Sequence, residues 1–130
     1  MIALDTNILV RFITLDDPEQ SAQVERYLKT NREEFFVTIP VLLELVWLLS
    51  RRFVFSRAEI AKVLRSFSER ADFVFEDDSL VMAALSAFER GGDFADHLIF
   101  ERARAAGCSR LLTFDSEVLD RYGDFAIKPS

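Results

Sequence analysis

The strongest constraint on this chain is the rhythm with which short apolar runs interrupt stretches of helical periodicity. Ile2-Ala3-Leu4, Phe35-Phe36-Val37-Thr38, Phe73-Val74-Phe75 and Arg110-Leu111-Leu112-Thr113-Phe114 are too short for helices and rich in aliphatic and aromatic side chains. Longer segments follow them, with apolar residues at helical spacing, as at Ile60, Val63, Leu64 and Phe67. Strands that alternate with helices argue for a parallel sheet covered on both faces. The expected fold is α/β, a three-layer α/β/α sandwich around a mainly parallel sheet of four or five strands. Phe125-Ala126-Ile127 is the candidate fifth strand, placed at an edge because Pro129 cannot continue a central one. A chain of 130 residues is expected to form a single domain, 1–130, with a real core.

Helix boundaries follow from local chemistry. A helix is expected from Thr6 to about Leu15, and Pro18 suits the first turn of the next, which runs to about Lys29. Pro40 opens an apolar helix, Val41 to about Arg52, and Ser56-Arg57-Ala58-Glu59 has capping-box spacing. Asp78 or Ser79 starts a helix that stops near Gly91-Gly92. Asp96 opens another, stopped by Gly107, and Val118 to Arg121 forms a short last helix.

Half the residues are apolar and 13 are Phe, which excludes disorder; at their helix and strand spacings the Phe residues read as core or dimer contacts rather than a base-stacking platform. No uncharged apolar stretch reaches the ~18 residues a membrane span needs. Met1 leads straight into the first strand, so no signal peptide is expected. The single Cys108 cannot form an internal disulfide, which fits a reducing cytoplasm, and it reads as a small buried residue near a strand. The net charge of −6 argues against a simple nucleic-acid binder, since affinity for phosphates comes from cations. Residues 51–70 depart from it, with six basic side chains against two acidic ones. Arg51, Arg52, Arg57, Lys62, Arg65 and Arg70 form a basic island, either a solvated helix face or a surface for RNA phosphates or an acidic partner.

Chemistry is suggested by four acids. Asp5 stands where the first apolar run stops, and Asp115 repeats that geometry after Leu111-Leu112-Thr113-Phe114. In an open α/β fold, ligands gather outside the carboxyl ends of the strands. Glu44 lies in Pro40-Val41-Leu42-Leu43-Glu44-Leu45-Val46-Trp47-Leu48-Leu49, a helix apolar nearly all round and therefore expected to be buried, with no Lys or Arg three or four residues away. Asp96 begins the helix Asp96-His97-Leu98-Ile99-Phe100, three residues after Asp93. Each Asp has a plain alternative as a helix cap or turn residue. Carboxylates crowded at one sheet edge would repel unless a cation neutralised them. An all-oxygen donor set suits Mg²⁺ or Mn²⁺ rather than Zn²⁺, which points to metal-assisted phosphodiester hydrolysis.

Asp5-Thr6-Asn7 after an N-terminal strand, Glu44 in the following apolar helix, Asp93-Phe94-Ala95-Asp96 before a helix, and Thr113-Phe114-Asp115 near the end together resemble the PIN domain. The size is similar to that of the VapC-type ribonuclease toxins of toxin–antitoxin operons. The resemblance implies an acidic metal-binding and catalytic quartet of Asp5, Glu44, Asp96 and Asp115. It also implies support from Asn7 and Thr113, an accessory Asp93, a sheet ordered 3-2-1-4-5, a homodimer, and inhibition by an antitoxin protein. His97 beside Asp96 reads as structural or solvent-facing, because a two-metal site needs no histidine. Two competing readings are a phospho-accepting receiver domain, with Asp77 as the nearest acceptor and Lys128-Pro129 after the last strand, and a catalytically idle PIN fold that only binds a partner.

Overall fold

Parallel neighbours in a sheet need a crossover of a dozen or more residues, and the helical stretches between the apolar runs supply it. The computed structural model describes residues 1–130, which fall into two compact units, Met1–Val81 and Met82–Ser130. The first unit contains β1 (Ile2–Ala3), α1 (Thr6–Ile13), α2 (Pro18–Thr30), β2 (Phe35–Val37), α3 (Ile39–Arg51), α4 (Arg57–Ser68), β3 (Phe73–Phe75) and the first turn of α5 (Asp78–Glu89). The second holds the rest of α5, then α6 (Phe94–Ala105), β4 (Leu111–Leu112), α7 (Ser116–Arg121) and β5 (Ala126–Ile127).

In the first unit all strands are parallel and β2 is central, with Ile2 opposite Phe35 and Phe35 opposite Phe73. In the second, β4 pairs in parallel with β5, Leu111 opposite Ala126. The five strands thus occur as two hydrogen-bonded sheets, whose internal orders, 3-2-1 and 4-5, are those of the expected α/β fold. The central place of β2 is incompatible with a receiver domain, whose order 2-1-3-4-5 puts the first strand between the second and third.

The core of the first unit follows from the periodicities. Phe35 and Val37 of β2 are fully buried, as are Leu9 of α1, Leu42, Leu45 and Leu49 of α3, and Leu64 of α4. Each such side chain contributes about 1.5–3 kcal/mol on burial. Phe rings link the layers: Phe67 meets Phe12 at 5.9 Å and Phe73 at 5.3 Å, and Phe73 meets Phe35 at 6.2 Å. The capping box is present, Ser56 Oγ accepting from Glu59 N and Glu59 Oε1 from Ser56 N. Glu76, just after β3, accepts from Ile39 N at 2.7 Å and ties the start of α3 to the strand ends.

The second unit is built on Val118, Tyr122 and Ala126, with Phe100, Leu111 and Leu119 packed around them. Phe100 stacks on Tyr122 at 4.2 Å and meets Phe125 edge-on at 5.4 Å. Gly91 ends α5 at a φ of +99°, where a side chain would be strained, and Gly92 N donates to Ala87 O at 2.8 Å. Gly107, at φ +85°, closes α6 in the same way. Cys108 on this turn is exposed rather than buried, because β4 begins three residues later than Cys108. No helix is long and apolar enough to cross a membrane.

Candidate active site

Asp93 sets the start of α6. Its Oδ2 accepts from Asp96 N at 2.9 Å, so Asp93 is the cap and Asp96 is the third residue of the helix rather than the one that opens it. Asp115 caps α7 in the same manner, its Oδ1 accepting from Glu117 N at 2.9 Å and Val118 N at 3.3 Å. Thr113 Oγ1 accepts from Asp115 N at 3.0 Å and fixes the backbone that presents this acid. Asp93, Asp96 and Glu117 line a small notch, with Val118, Arg121 and Tyr122 as its other walls. Its volume is about 10 Å³, room for roughly one water.

Asp96 bears the electrostatic consequence. Burial raises its carboxyl above the usual range, and the charges of Asp93, Asp115 and Glu117 push it the same way. Three acids therefore act on a fourth within one unit. No three His, Cys, Asp or Glu side chains gather closely enough to hold a metal ion. The acids of the notch offer oxygen donors, the kind a small, hard divalent cation takes, but the space holds about one water, too little for a cation with its water shell, and Arg121 brings a positive charge to its wall.

Arg121 and Tyr122 were not singled out by the sequence, nor was Glu117. A signal was available for Glu117, which falls in the first turn after Asp115, but none for Arg121 or Tyr122. The guanidinium of Arg121 lies against the Gly91–Gly92 turn, where a Cβ on Gly92 would be 3.4 Å from its Cζ. His97 is half-buried and bonded, Nδ1 to the Tyr122 hydroxyl at 2.7 Å, with Nε2 3.4 Å from Glu101. Burial lowers its pKa; Arg90 and Arg121 act in that direction and Glu101 opposes them. Burial likewise raises the Tyr122 phenol.

The other two expected acids belong to the first unit. Asp5 follows β1 and caps α1, its Oδ1 accepting from Thr6 N at 2.8 Å, and is exposed. Asn7, also exposed, is the second residue of α1. Glu44 is exposed, contrary to the buried helix its apolar neighbours imply. The reason is that α3 buries one face only, through Leu42, Leu45, Val46 and Leu49, and leaves Pro40, Glu44, Trp47 and Ser50 on a wet stripe. Of the basic island, Arg51, Arg52, Arg57 and Lys62 are exposed and Arg65 is half-buried. Arg70 departs from the group: it pairs with Asp72 at 3.0 and 2.9 Å and lies over the Phe73 ring at 4.6 Å, a structural use.

Parallel strands feeding helices that open on carboxylates make this an α/β protein with acids placed at strand ends and first helical turns. It belongs to the PIN domain family, which it matches over residues 2–124, across both units. The PIN domain is generally a nuclease fold that acts on RNA or DNA and typically uses divalent metals. No curated protein matches the chain.

Proposed function

We propose that this chain is a Mg²⁺- or Mn²⁺-dependent ribonuclease, the toxin component of a type II toxin–antitoxin pair. The observation that carries the nuclease reading is Asp96, half-buried in a water-sized notch and pressed by Asp93, Asp115 and Glu117. Such a carboxylate is stable as an anion once a cation joins it. Asp5, Glu44, Asp96 and Asp115 are the proposed ligands. Asn7, Asp93 and Thr113 are the proposed supporting residues, and residues 1–130 are proposed to work as one domain. A bound divalent cation supplies Lewis-acid stabilisation of the phosphoryl oxygens and an activated water. The protein's part is to hold each carboxylate in place, which Asp5, Asp93 and Asp115 achieve by capping helices with one oxygen while keeping the other.

The exposed cations Arg51, Arg52, Arg57 and Lys62, with Arg65, form the surface proposed for RNA phosphates or for acidic groups of the antitoxin. The toxin assignment, the homodimer and the cytoplasmic location rest on the similarity to small VapC-type chains and on the lone cysteine. The test is incubation of the purified chain with total cellular RNA and Mg²⁺, followed by mapping of new 5′ ends. Discrete cleavage sites that vanish with excess EDTA are expected. Full cleavage in EDTA would remove the metal-dependent reading, and no cleavage under any metal would leave a binding module.

A further inference from the structure

The chain has a single tryptophan, Trp47, and it stands 60% exposed on the outer stripe of α3. It enters none of the ring contacts that join the layers of its unit. Positions three, four and seven apart share one face of a helix, so Glu44, Trp47 and Arg51 lie one above another. All three are exposed, as is Ser50 beside them. At a rise of ~1.5 Å per residue, the ring is about 4.5 Å along the axis from the acid and about 6 Å from the cation. Arg52, the next residue, already lies over the Phe53 ring at 5.6 Å, whereas Arg51 stands in solvent.

The surroundings of Trp47 decide what it fits. A protein partner is met by a contiguous apolar patch with little charge at its centre. Here the exposed neighbours are a carboxylate, a hydroxyl and a guanidinium, while Leu42, Leu45 and Leu49 of the same helix are buried. A lone ring between charges suits a nucleobase, since every base has a face that stacks on an aromatic ring, and a cation one turn away suits the adjoining phosphate. We propose that Trp47 is a positioning residue for single-stranded RNA, its indole stacking on one base of the strand beside Glu44 while Arg51 pairs with a neighbouring phosphate. The inference rests on the nuclease reading for the choice of RNA as ligand, and it requires no bound cation.

Because Trp47 is the only tryptophan, its fluorescence reports on this one position. The full chain is titrated in excess EDTA with a short single-stranded RNA and with an abasic ribose-phosphate strand of the same length, and binding is followed separately by the anisotropy of labelled strands. RNA should quench Trp47 to saturation, and the abasic strand should bind without quenching. W47A should raise the RNA dissociation constant about tenfold, the scale of one base–aromatic stack; W47F should keep most of the affinity, and W47L, apolar but not aromatic, should behave as W47A. R51Q should weaken both strands and lower the salt slope by about one phosphate. Binding of RNA without quenching, equal quenching by the abasic strand, or parental affinity in W47A and W47L would overturn the proposal. A blue shift of the emission with rising protein concentration, with no quenching by RNA, would give the stripe to a second copy and overturn it as well. Cleavage in Mg²⁺ with parental RNA affinity in W47A overturns this inference alone. Stacked RNA that no metal causes to be cleaved keeps it and removes the nuclease reading, and a parent chain that binds no RNA overturns both.

Discussion

Asp96 is where charge, burial and backbone meet. Its carboxyl is raised by burial first and then by Asp93, Asp115 and Glu117, so the metal-free fold carries an anion it disfavours. A carboxylate with a raised folded pKa destabilises the fold at pH above that pKa, and the penalty is gone below the unfolded value of about 3.9. Asp96→Asn should therefore melt higher than the parent at neutral pH without metal, and the difference should shrink as pH falls toward 4. Added Mg²⁺ should stabilise the parent more than the variant, since a ligand favours the state that binds it. Cleavage by the variant should fall by at least ~100-fold, the upper end of what outer-shell losses cost. Thermal melts from pH 4 to 8, with and without Mg²⁺, check the stability arm; a variant that melts below the parent at pH 7 would contradict it. At this scale Asp93, Asp96 and Asp115 were legible because caps and strand-end acids leave a mark on the sequence. Tyr122 was not: nothing in Val118-Leu119-Asp120-Arg121-Tyr122 indicates that a packed aromatic also reaches a charged notch.

Among the elements, the order of strands and helices could be read from apolar runs and turn chemistry, and the capping box at Ser56 and Glu59 was legible as a motif. The exposure of Glu44 was not. An apolar helix that buries one face still has an outer one, and hydrophobicity alone does not say which residues occupy it; Trp47, 60% exposed, shares that face with Glu44. The helix α7 shows how one side chain serves two ends. Asp115 satisfies two backbone amides at the start of a six-residue helix that is too short to persist unaided. Asn caps about as well as Asp, while Ala does not cap. Asp115→Asn and Asp115→Ala should both lose cleavage, with only the Ala variant losing about 1 kcal/mol relative to the Asn variant in denaturant unfolding. Equal stabilities would mean that the cap is dispensable and that Asp115 is held in place by Thr113 alone.

For the whole molecule, the proposed quartet divides evenly, Asp5 and Glu44 in residues 1–81 and Asp96 and Asp115 in residues 82–130. The family match runs through both. A quartet drawn from one chain and a quartet drawn from two copies of a dimer make opposite predictions for mixtures. Asp5→Asn and Asp115→Asn each keep a capping side chain, so both variants should fold, and each alone should be inactive. If one chain supplies all four acids, every site in a mixture of the two variants lacks an acid, and mixing, even through unfolding and refolding together, restores nothing. If the units combine across copies, a mixed dimer contains one site with all four acids, and cleavage returns on mixing. We expect no restoration, because the function proposed above assigns all four acids to a single chain. The measurement is RNA cleavage in Mg²⁺ by the co-refolded pair against each variant alone. Restored activity would move the site to the dimer interface and make cleavage dependent on protein concentration.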